Sequence, residues 1–343
     1  MIYKTTIIEI KLIRIIMKKT TLPLLLVIIF ASMFGCEKDE TTDAHWSLLS
    51  SGTKNDLYKI SFTSNNIGYV LADSGLILKT TNEGKTWKTM QIGISMWFTS
   101  FCFSDDNIGY VVGTNGIILK TVDGGNTWEP LSSGTIYHFT AVLFVNTNIG
   151  YVIGGNLFSD VGIILKTTDG GNTWNDLSSR ISSKWLYSIY FIDANTGYLV
   201  GDSGTILKTT NGGDSWTNLP SGTNKVLGSV FFTSENTGFA SGGNNVGDEG
   251  IILRTDNGGS TWTALSSGTR SVGSLFFPSN DIGYAISYDA NLKGLILKTD
   301  NGGIAWSIVS TDLISTNLSS VFFTNVNKGY IVGEGGTIIK WGE

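Results

Sequence analysis

A glycine followed by an aromatic residue recurs seven times along this chain, and its spacing limits the fold more than any other feature. The pairs are Gly68-Tyr69, Gly109-Tyr110, Gly150-Tyr151, Gly197-Tyr198, Gly238-Phe239, Gly283-Tyr284 and Gly329-Tyr330. The intervals between them are 41, 41, 47, 41, 45 and 46 residues. A period in the forties belongs to a four-stranded propeller blade or to a paired-helix repeat. The local pattern separates the two. Each unit holds short runs of β-branched and aromatic residues broken by Gly, Asn, Asp and Ser, such as Val230-Phe231-Phe232 and Ile117-Ile118-Leu119-Lys120-Thr121. Such runs read as strands. No stretch after residue 45 keeps a helical apolar period for three turns, so the chain is all-β.

Four strands are assigned to each unit. Strand A is the Val-Phe-Phe run; it is the least polar and is placed innermost, around a central channel. Strand B opens at the Gly-aromatic pair, strand C is Ile-Leu-Lys-Thr, and strand D begins at a Trp. The C–D turn is the sharpest motif. It reads Thr80-Thr81-Asn82-Glu83-Gly84-Lys85-Thr86-Trp87 in the first unit. It returns at residues 121–128, 167–174, 209–216, 255–262 and 299–306. Its third position is Asn82, Asp123, Asp169, Asn211, Asn257 or Asn301, and its last is Trp87, Trp128, Trp174, Trp216, Trp262 or Trp306. An Asx side chain accepts backbone N–H bonds within such a turn. The glycines that follow supply positive φ without a Cβ clash. The Trp then folds into the gap between units, a burial of about 150–250 Å². The regularity of the motif assigns it a structural role.

These turns are Asp-boxes and resemble the bacterial neuraminidase repeat. The full unit, from Gly-Tyr through Ile-Leu-Lys-Thr to Asp-Gly-Gly-x-Thr-Trp, is similar to the photosystem II stability and assembly factor family. The resemblance covers residues 45–343 and implies a seven-bladed β-propeller of four-stranded antiparallel blades. It implies a non-catalytic assembly or binding role and carries no photosynthetic role by itself. The seventh unit stops after Gly336-Thr337-Ile338-Ile339-Lys340-Trp341, without an Asp-box or a strand D. The missing piece stands at the other end, where Trp46 to Thr53 parallels Trp128 to Thr135. Residues 46–49 are therefore expected to be the outer strand of the last blade, which ties the chain ends together and leaves fewer open edges.

The first 36 residues read as a targeting segment. Leu22 to Gly35 is an apolar run of 14 residues behind Met17-Lys18-Lys19. A membrane-spanning helix needs about 20. The run closes at Gly35-Cys36 and resembles a bacterial lipoprotein signal, which makes Cys36 the lipidated first residue of the mature protein and Met17 the expected start. Met33 and Phe34 depart from the usual signal, and an uncleaved anchor is the alternative. Residues 37–44, opening Glu37-Lys38-Asp39-Glu40, form an acidic tether similar to surface-export stretches of some Gram-negative lipoproteins. The expected address is the bacterial cell envelope, as an outer-membrane lipoprotein facing the periplasm or the outside. Beyond the leader the chain keeps 18 basic and 27 acidic residues. That balance is a poor match to a phosphate backbone, and nucleic acid is excluded as a partner.

In a four-stranded blade the A–B and C–D turns share one rim, and the B–C and D–A loops share the other. All Asp-boxes thus fall on one face. The insertions at Leu157 to Asp160, Asn244 to Glu249 and Tyr288 to Lys293 fall on the opposite one, the loop face. There the D–A loops bring Trp97, Tyr137, His138, Arg180, Lys184, Trp185, Lys225 and Arg270, with Met96 beside Trp97. Loops on a rigid scaffold are where binding concentrates, and Trp, Tyr and Arg are the usual interface anchors. These residues are the candidate contacts for a protein or glycan partner; the bland alternative is that Trp97 and Trp185 only pack the channel mouth. The repeated strand C cations, Lys79, Lys120, Lys166, Lys208, Arg254, Lys298 and Lys340, are read as solvated positions that discourage edge pairing. Cys102 fills a slot that Phe231 and Phe322 fill elsewhere and is read as a small buried hydrophobe. No cofactor or metal is expected, since His45 and His138 stand in different contexts.

A sialidase-like or two-carboxylate glycoside hydrolase is the alternative function. Sialidases that resemble this repeat use three arginines and a Tyr–Glu pair, whereas the chain beyond its leader has only Arg180, Arg254 and Arg270. Arg254 stands on strand C, away from the other two. Among loop-face carboxylates, Asp56, Asp160, Asp248, Asp289 and Asp312, no spacing marks a facing pair. Replacing Cys36 by Ala is expected to abolish acylation and signal cleavage. Mass spectrometry of the membrane fraction checks this, and an unmodified Cys36 in the wild-type protein would refute the lipoprotein reading.

Overall fold

The computed structural model describes residues 45–343, apart from 157, 158, 160, 181–183, 244–248, 310–312 and 343. The targeting segment, Cys36 and the tether lie outside the described residues, as do Asp160, Asp248 and Asp312; nor is the Arg180 side chain described. Residues from His45 onward form the propeller.

Seven four-stranded antiparallel sheets follow one another, each built in sequence order. Blade 1 runs Leu57–Phe62 (A), Gly68–Ala72 (B), Leu76–Thr80 (C) and Lys88–Gln91 (D). Blade 7 takes strands A to C from Leu318–Asn325, Lys328–Gly333 and Thr337–Trp341. Its outer strand is Trp46–Leu49, with Trp46 opposite Trp341 and Leu49 opposite Ile338. The ring is thus closed by the N-terminal strand, as the split seventh unit predicts. In blades 1 to 6 strand D starts one or more residues after the Asp-box Trp, not at it.

Strand A is innermost, and each A strand lies beside that of the next blade. Its blade-facing side chains are apolar and buried, as with Leu57, Ile60 and Phe62. The side toward the channel is not: Lys59, Thr99, Ser100, Ser188 and Ser229 line it. An edge strand around a narrow wet channel has one dry face and one wet face, so its overall apolarity misses the second.

One aromatic stack recurs at the seams between blades. The Tyr of one blade lies flat on the last Phe of strand A in the next, as Tyr110 does on Phe144 with centroids 3.8 Å apart and planes 10° off parallel. The Asp-box Trp of that second blade meets the same Phe edge-on, Trp174 at 6.1 Å and 85°. Offset-stacked and edge-to-face pairs are the favoured arrangements, worth about 0.5–1.5 kcal/mol each beyond area burial. The stack also explains the glycine of the repeated pair. Gly150 stands opposite Phe144 across the ladder. A Cβ on Gly150 would fall 2.6 Å from the Phe144 ring. Only glycine leaves the ring room to lie over the strand.

The strand C lysines depart from expectation. Lys120 Nζ and Tyr110 Oη both donate to the Gly170 carbonyl in the Asp-box of the next blade, each at 2.8 Å. Tyr151 and Lys166 grip Gly212 in the same way at 2.7 and 2.6 Å, and Tyr198 and Lys208 grip Gly258 at 2.8 Å each. Between blades 1 and 2, Lys79 reaches the Gly124 carbonyl at 2.9 Å. At the seam from blade 7 to blade 1, Tyr330 donates to the Glu83 carbonyl at 2.8 Å while Lys328 pairs with the Glu83 carboxylate at 2.7 Å. Lys79, Lys120, Lys166 and Lys208 are thus inter-blade latches, not solvated positions, Lys328 of strand B takes that part at the last seam, and Lys340 is itself buried. The ammonium groups of the four latch lysines also stand over the tyrosine ring, with Lys79 Nζ 5.2 Å from the Tyr69 centroid. Burial holds the Tyr110, Tyr151 and Tyr198 hydroxyls up at about 12, so the donors stay protonated across the physiological range.

The Asp-box is wired as its sequence implies. Asp123 Oδ1 accepts from the Thr127 N–H at 2.9 Å and Oδ2 from the Thr127 hydroxyl at 2.7 Å. Thr121 Oγ1 accepts the Gly125 N–H at 2.9 Å, and Gly124 and Gly125 both hold positive φ, 67° and 88°. The Thr127 bonds, hydroxyl first, pull the Asp123 carboxyl down to about 2, and the Thr173 bonds do the same for Asp169. A carboxylate depressed on folding stabilises the fold above its unfolded pKa of about 3.9, and that contribution is lost as pH falls toward 2. Thermal melts are therefore expected to drop between pH 4 and pH 2, by less in the Asp123→Asn, Asp169→Asn double variant. Asn holds the same position in the other four boxes, so the variant is expected to keep the fold at neutral pH.

Candidate functional site

The two faces are built differently. The Asp-box face repeats itself from blade to blade, whereas the loop face does not. B–C connections in blades 1, 2, 4 and 7 are single tight turns, at Asp73–Gly75, Thr114–Gly116, Asp202–Gly204 and Glu334–Gly336. The B–C connection of blade 6 is longer, from Asp289 to Lys293, and those of blades 3 and 5 lie partly outside the described residues. Shallow open grooves between a B–C turn and the adjoining D–A loop occur in both blade 4 and blade 7. That recurrence marks them as by-products of the repeat.

The irregular feature is at the channel mouth. Trp97 is 63 % exposed and lies parallel to Tyr58, centroids 6.4 Å apart and planes 17° apart. Its backbone carbonyl accepts the Thr114 N–H at 3.0 Å, which fixes the loop although the indole faces solvent. Trp185 makes a second group. His138 and Tyr187 flank it, each at 6.3 Å and 35°. The Trp185 Nε1–H donates to the Asn156 carbonyl at 3.2 Å, and its ring covers Gly155, where a Cβ would stand 2.7 Å away. Tyr187 Oη donates to Asp202 Oδ1 at 3.0 Å. Ile136, 76 % exposed, stands in the loop before strand A of blade 3. Tyr58 and Tyr187 also line the central cavity, of about 380 Å³, so both aromatic groups frame its mouth.

The candidate residues divide accordingly. Trp97, His138 and Trp185 belong to the mouth, and Lys184 is exposed beside Trp185. Tyr137 packs instead against the core between blades 2 and 3, with its amide N–H on Thr135 Oγ1 at 3.2 Å. Lys225 reaches the Glu249 carbonyl of its own blade. Arg270 is half-buried in the loop between blades 5 and 6, and its carbonyl accepts the Ser287 hydroxyl at 3.0 Å. The structure thus gathers the aromatic members across blades 1 to 4 and sets two of the basic ones across the ring. Tyr58, Tyr187 and Ile136 were missed by the sequence reading. The signal for the tyrosines was available: both occupy a strand A slot that Thr99, Thr140, Gly228, Gly273 and Ser319 fill in the other blades. The rim near Tyr58 is acidic, for burial and then Asp73, Asp56 and Glu334 raise the Tyr58 pKa.

The described loop-face carboxylates Asp56 and Asp289 are engaged with backbone groups. Asp56 accepts the Gly335 N–H at 2.8 Å, and Asp289 caps its own loop through the Asn291 and Lys293 N–H groups. Arg254 pairs with Asp256 at 2.7 Å beside the Asp-box turn, on the opposite rim from Arg270. No three His, Cys, Asp or Glu side chains among the described residues group to hold a metal ion. Cys102 is a free thiol whose pKa is pushed up by burial, as suits a packing residue.

A ring of seven blades around a channel, six of them carrying an Asp-box, with one irregular aromatic-rich mouth, defines an Asp-box β-propeller. The family model described as photosynthesis system II assembly factor YCF48 matches residues 83–185 and 179–314, and the chain belongs to that family. Among solved structures, YCF48 bound to D1 peptide is similar at 19 % identity and TM-score 0.70, over 87 % of this chain and 97 % of that one. YCF48 from Cyanidioschyzon merolae is similar at 21 % and 0.68, over 87 % and 98 %. The GH74 xyloglucanase from Xanthomonas campestris reaches 12 % and 0.67, over 86 % of this chain and 53 % of that enzyme. At these identities the likeness to the solved structures is one of fold. No curated protein matches the chain.

The contrast between mouth and seam tryptophans is measurable. Trp97→Ala is expected to shift unfolding free energy by no more than about 0.5 kcal/mol, as for an exposed side chain. Trp128→Ala, which empties a seam, is expected to cost about 3–5 kcal/mol. Denaturant titration of the two variants checks the difference.

Proposed function

We propose that this chain is a non-catalytic assembly or binding factor that docks a protein partner on its loop face, at the aromatic mouth of the channel. The observation that carries the reading is Trp97, a large indole left mostly in solvent on a loop whose backbone is fixed. A preorganised aromatic loses little conformational entropy on binding, which is why such residues become hot spots. Membership of the YCF48 family supports a protein partner, and a solved relative that holds a peptide supports it further. Trp97, Trp185 and His138 are the proposed anchors, with Lys184 setting charge preference beside them, Arg180, Lys225 and Arg270 contributing charge elsewhere on the loop face, and Tyr137 holding its loop. Acylation of Cys36, with residues 37–44 as tether, would hold the propeller on the outer membrane of a bacterial envelope, where its mouth can meet membrane-bound clients.

The test compares two full-length variants in partner capture from their own membranes, once both are shown to fold. Trp97→Ala with Trp185→Ala is expected to weaken capture about thirtyfold or more, the effect of losing one anchor of about 2 kcal/mol. Lys85→Ala with Asn126→Ala, on exposed Asp-box turns, is expected to leave capture intact. Equal capture by the two would remove the site from the loop face. A glycan in place of a protein on the captured material, or glycoside turnover lost on mutating Asp56 or Asp289, would overturn the protein-binding reading.

A further inference from the structure

Below the mouth, the channel has a lining the partner reading does not use. One strand A position from each blade points inward: Lys59, Ser100, Ala141, Ser188, Ser229, Ser274 and Ser320. Five of these are serines, and each accepts a backbone N–H from the blade that follows. Ser100 takes Val142, Ser188 takes Val230, Ser229 takes Leu275, Ser274 takes Val321 and Ser320 takes Ile60, all at 3.3–3.4 Å. A serine hydroxyl has one proton and two lone pairs. The amide occupies one lone pair of each serine, and the hydroxyl proton is left to donate. The ring therefore supplies hydroxyl donors along the channel wall.

Blade 1 breaks the ring with a lysine. Lys59 Nζ donates to Ser100 Oγ at 2.7 Å and lies 5.9 Å from the Phe101 centroid. No carboxylate is among the residues that line the cavity. Desolvation lowers the Lys59 pKa, in keeping with an ammonium held without a counter-ion. Removing a charge from water without a partner is costly, and a bound opposite charge offsets that cost. Two of the three ammonium donors remain for a ligand.

We propose that the central channel binds a small free carboxylate, seated on the Lys59 ammonium and the surrounding serine hydroxyls. One positive charge and a set of neutral donors match a monoanion with two acceptor oxygens better than a dianion. Charge-assisted bonds of this kind are the strong ones. The site is independent of the partner-docking reading, because it uses no loop residue.

The experiment titrates 13C-acetate against the full chain at fixed ionic strength in chloride and follows broadening of the acetate methyl resonance. The variant is Lys59→Ser, which installs the residue found at that position in five other blades and so respects the fold. Saturable acetate binding by the wild type, weakened at least tenfold in Lys59→Ser, is the expected result. Absence of saturable binding, equal binding by the variant, or binding of inorganic phosphate in place of acetate would each overturn the proposal. Partner capture by Lys59→Ser is expected to match the wild type, which separates a failure here from a failure of the loop-face site.

Discussion

The backbone carbonyl of the Asp-box glycine is the point on which four of the seven seams are gathered. Within its own blade the box is a tight turn held by an Asx carboxylate or amide, a threonine hydroxyl and two positive-φ glycines. That turn aims one carbonyl outward across the seam. A tyrosine hydroxyl and a lysine ammonium from the preceding blade meet on it, as Tyr110 and Lys120 do on Gly170. A local motif is thereby converted into a neighbour contact. Each hydrogen bond contributes only about 1 kcal/mol net, but the groups it joins are buried, and leaving one unpaired costs more. Repeat architectures are held together by such nearest-neighbour terms.

The latch varies around the ring, and the variations are physically consistent. Blade 5 offers Phe239 and Arg254 where other blades offer Tyr and Lys; phenylalanine has no donor, and the guanidinium turns to Asp256, just past the end of its own strand. Blade 7 has no Asp-box, so blade 6 has no such carbonyl to grip. There the aromatic cluster takes over: Trp46 meets Tyr284 edge-on at 5.9 Å and packs on Trp341 at 5.1 Å. The chain ends meet at this seam, and a contact that is largely apolar joins what a turn joins elsewhere. Trp46 thus serves twice, as the first residue of the closing strand and as the seam tryptophan of blade 7.

Much of this was legible in the sequence, because the repeat writes the same information seven times. The Gly-aromatic spacing gave the blades, the Asx-Gly-Gly turn gave the C–D corner, and the orphaned Trp46 segment gave the closure. The strand C lysines were misread because a lysine at a regular strand position looks solvated until the neighbouring blade is in place. Its partner is a backbone carbonyl about fifty residues further on, and a backbone carbonyl has no sequence signature. The same holds for the channel serines, whose bonds go to amide groups of the next blade. The mouth was legible only in part. Trp97 and Trp185 stand out by type, but Tyr58 and Tyr187 reveal themselves only against the small residues that the other blades carry in that slot.

A repeat also supplies its own control for function. At any position, seven copies share one structural demand, so a copy that departs from the rest is under some further demand or under none. Departures scattered at random around the ring would argue for drift. Here they concentrate at one end of the channel and on its wall. Tyr58 and Tyr187 replace small residues at the mouth, Lys59 replaces a serine just below, and the longer B–C loops lie on the same face. The Asp-box face shows less of this, since Asp and Asn both accept the turn N–H, and only the bond to the neighbouring hydroxyl changes direction. The asymmetry between two ends of a symmetric scaffold is therefore the physical argument behind proposing the channel and its mouth as the place to test for binding.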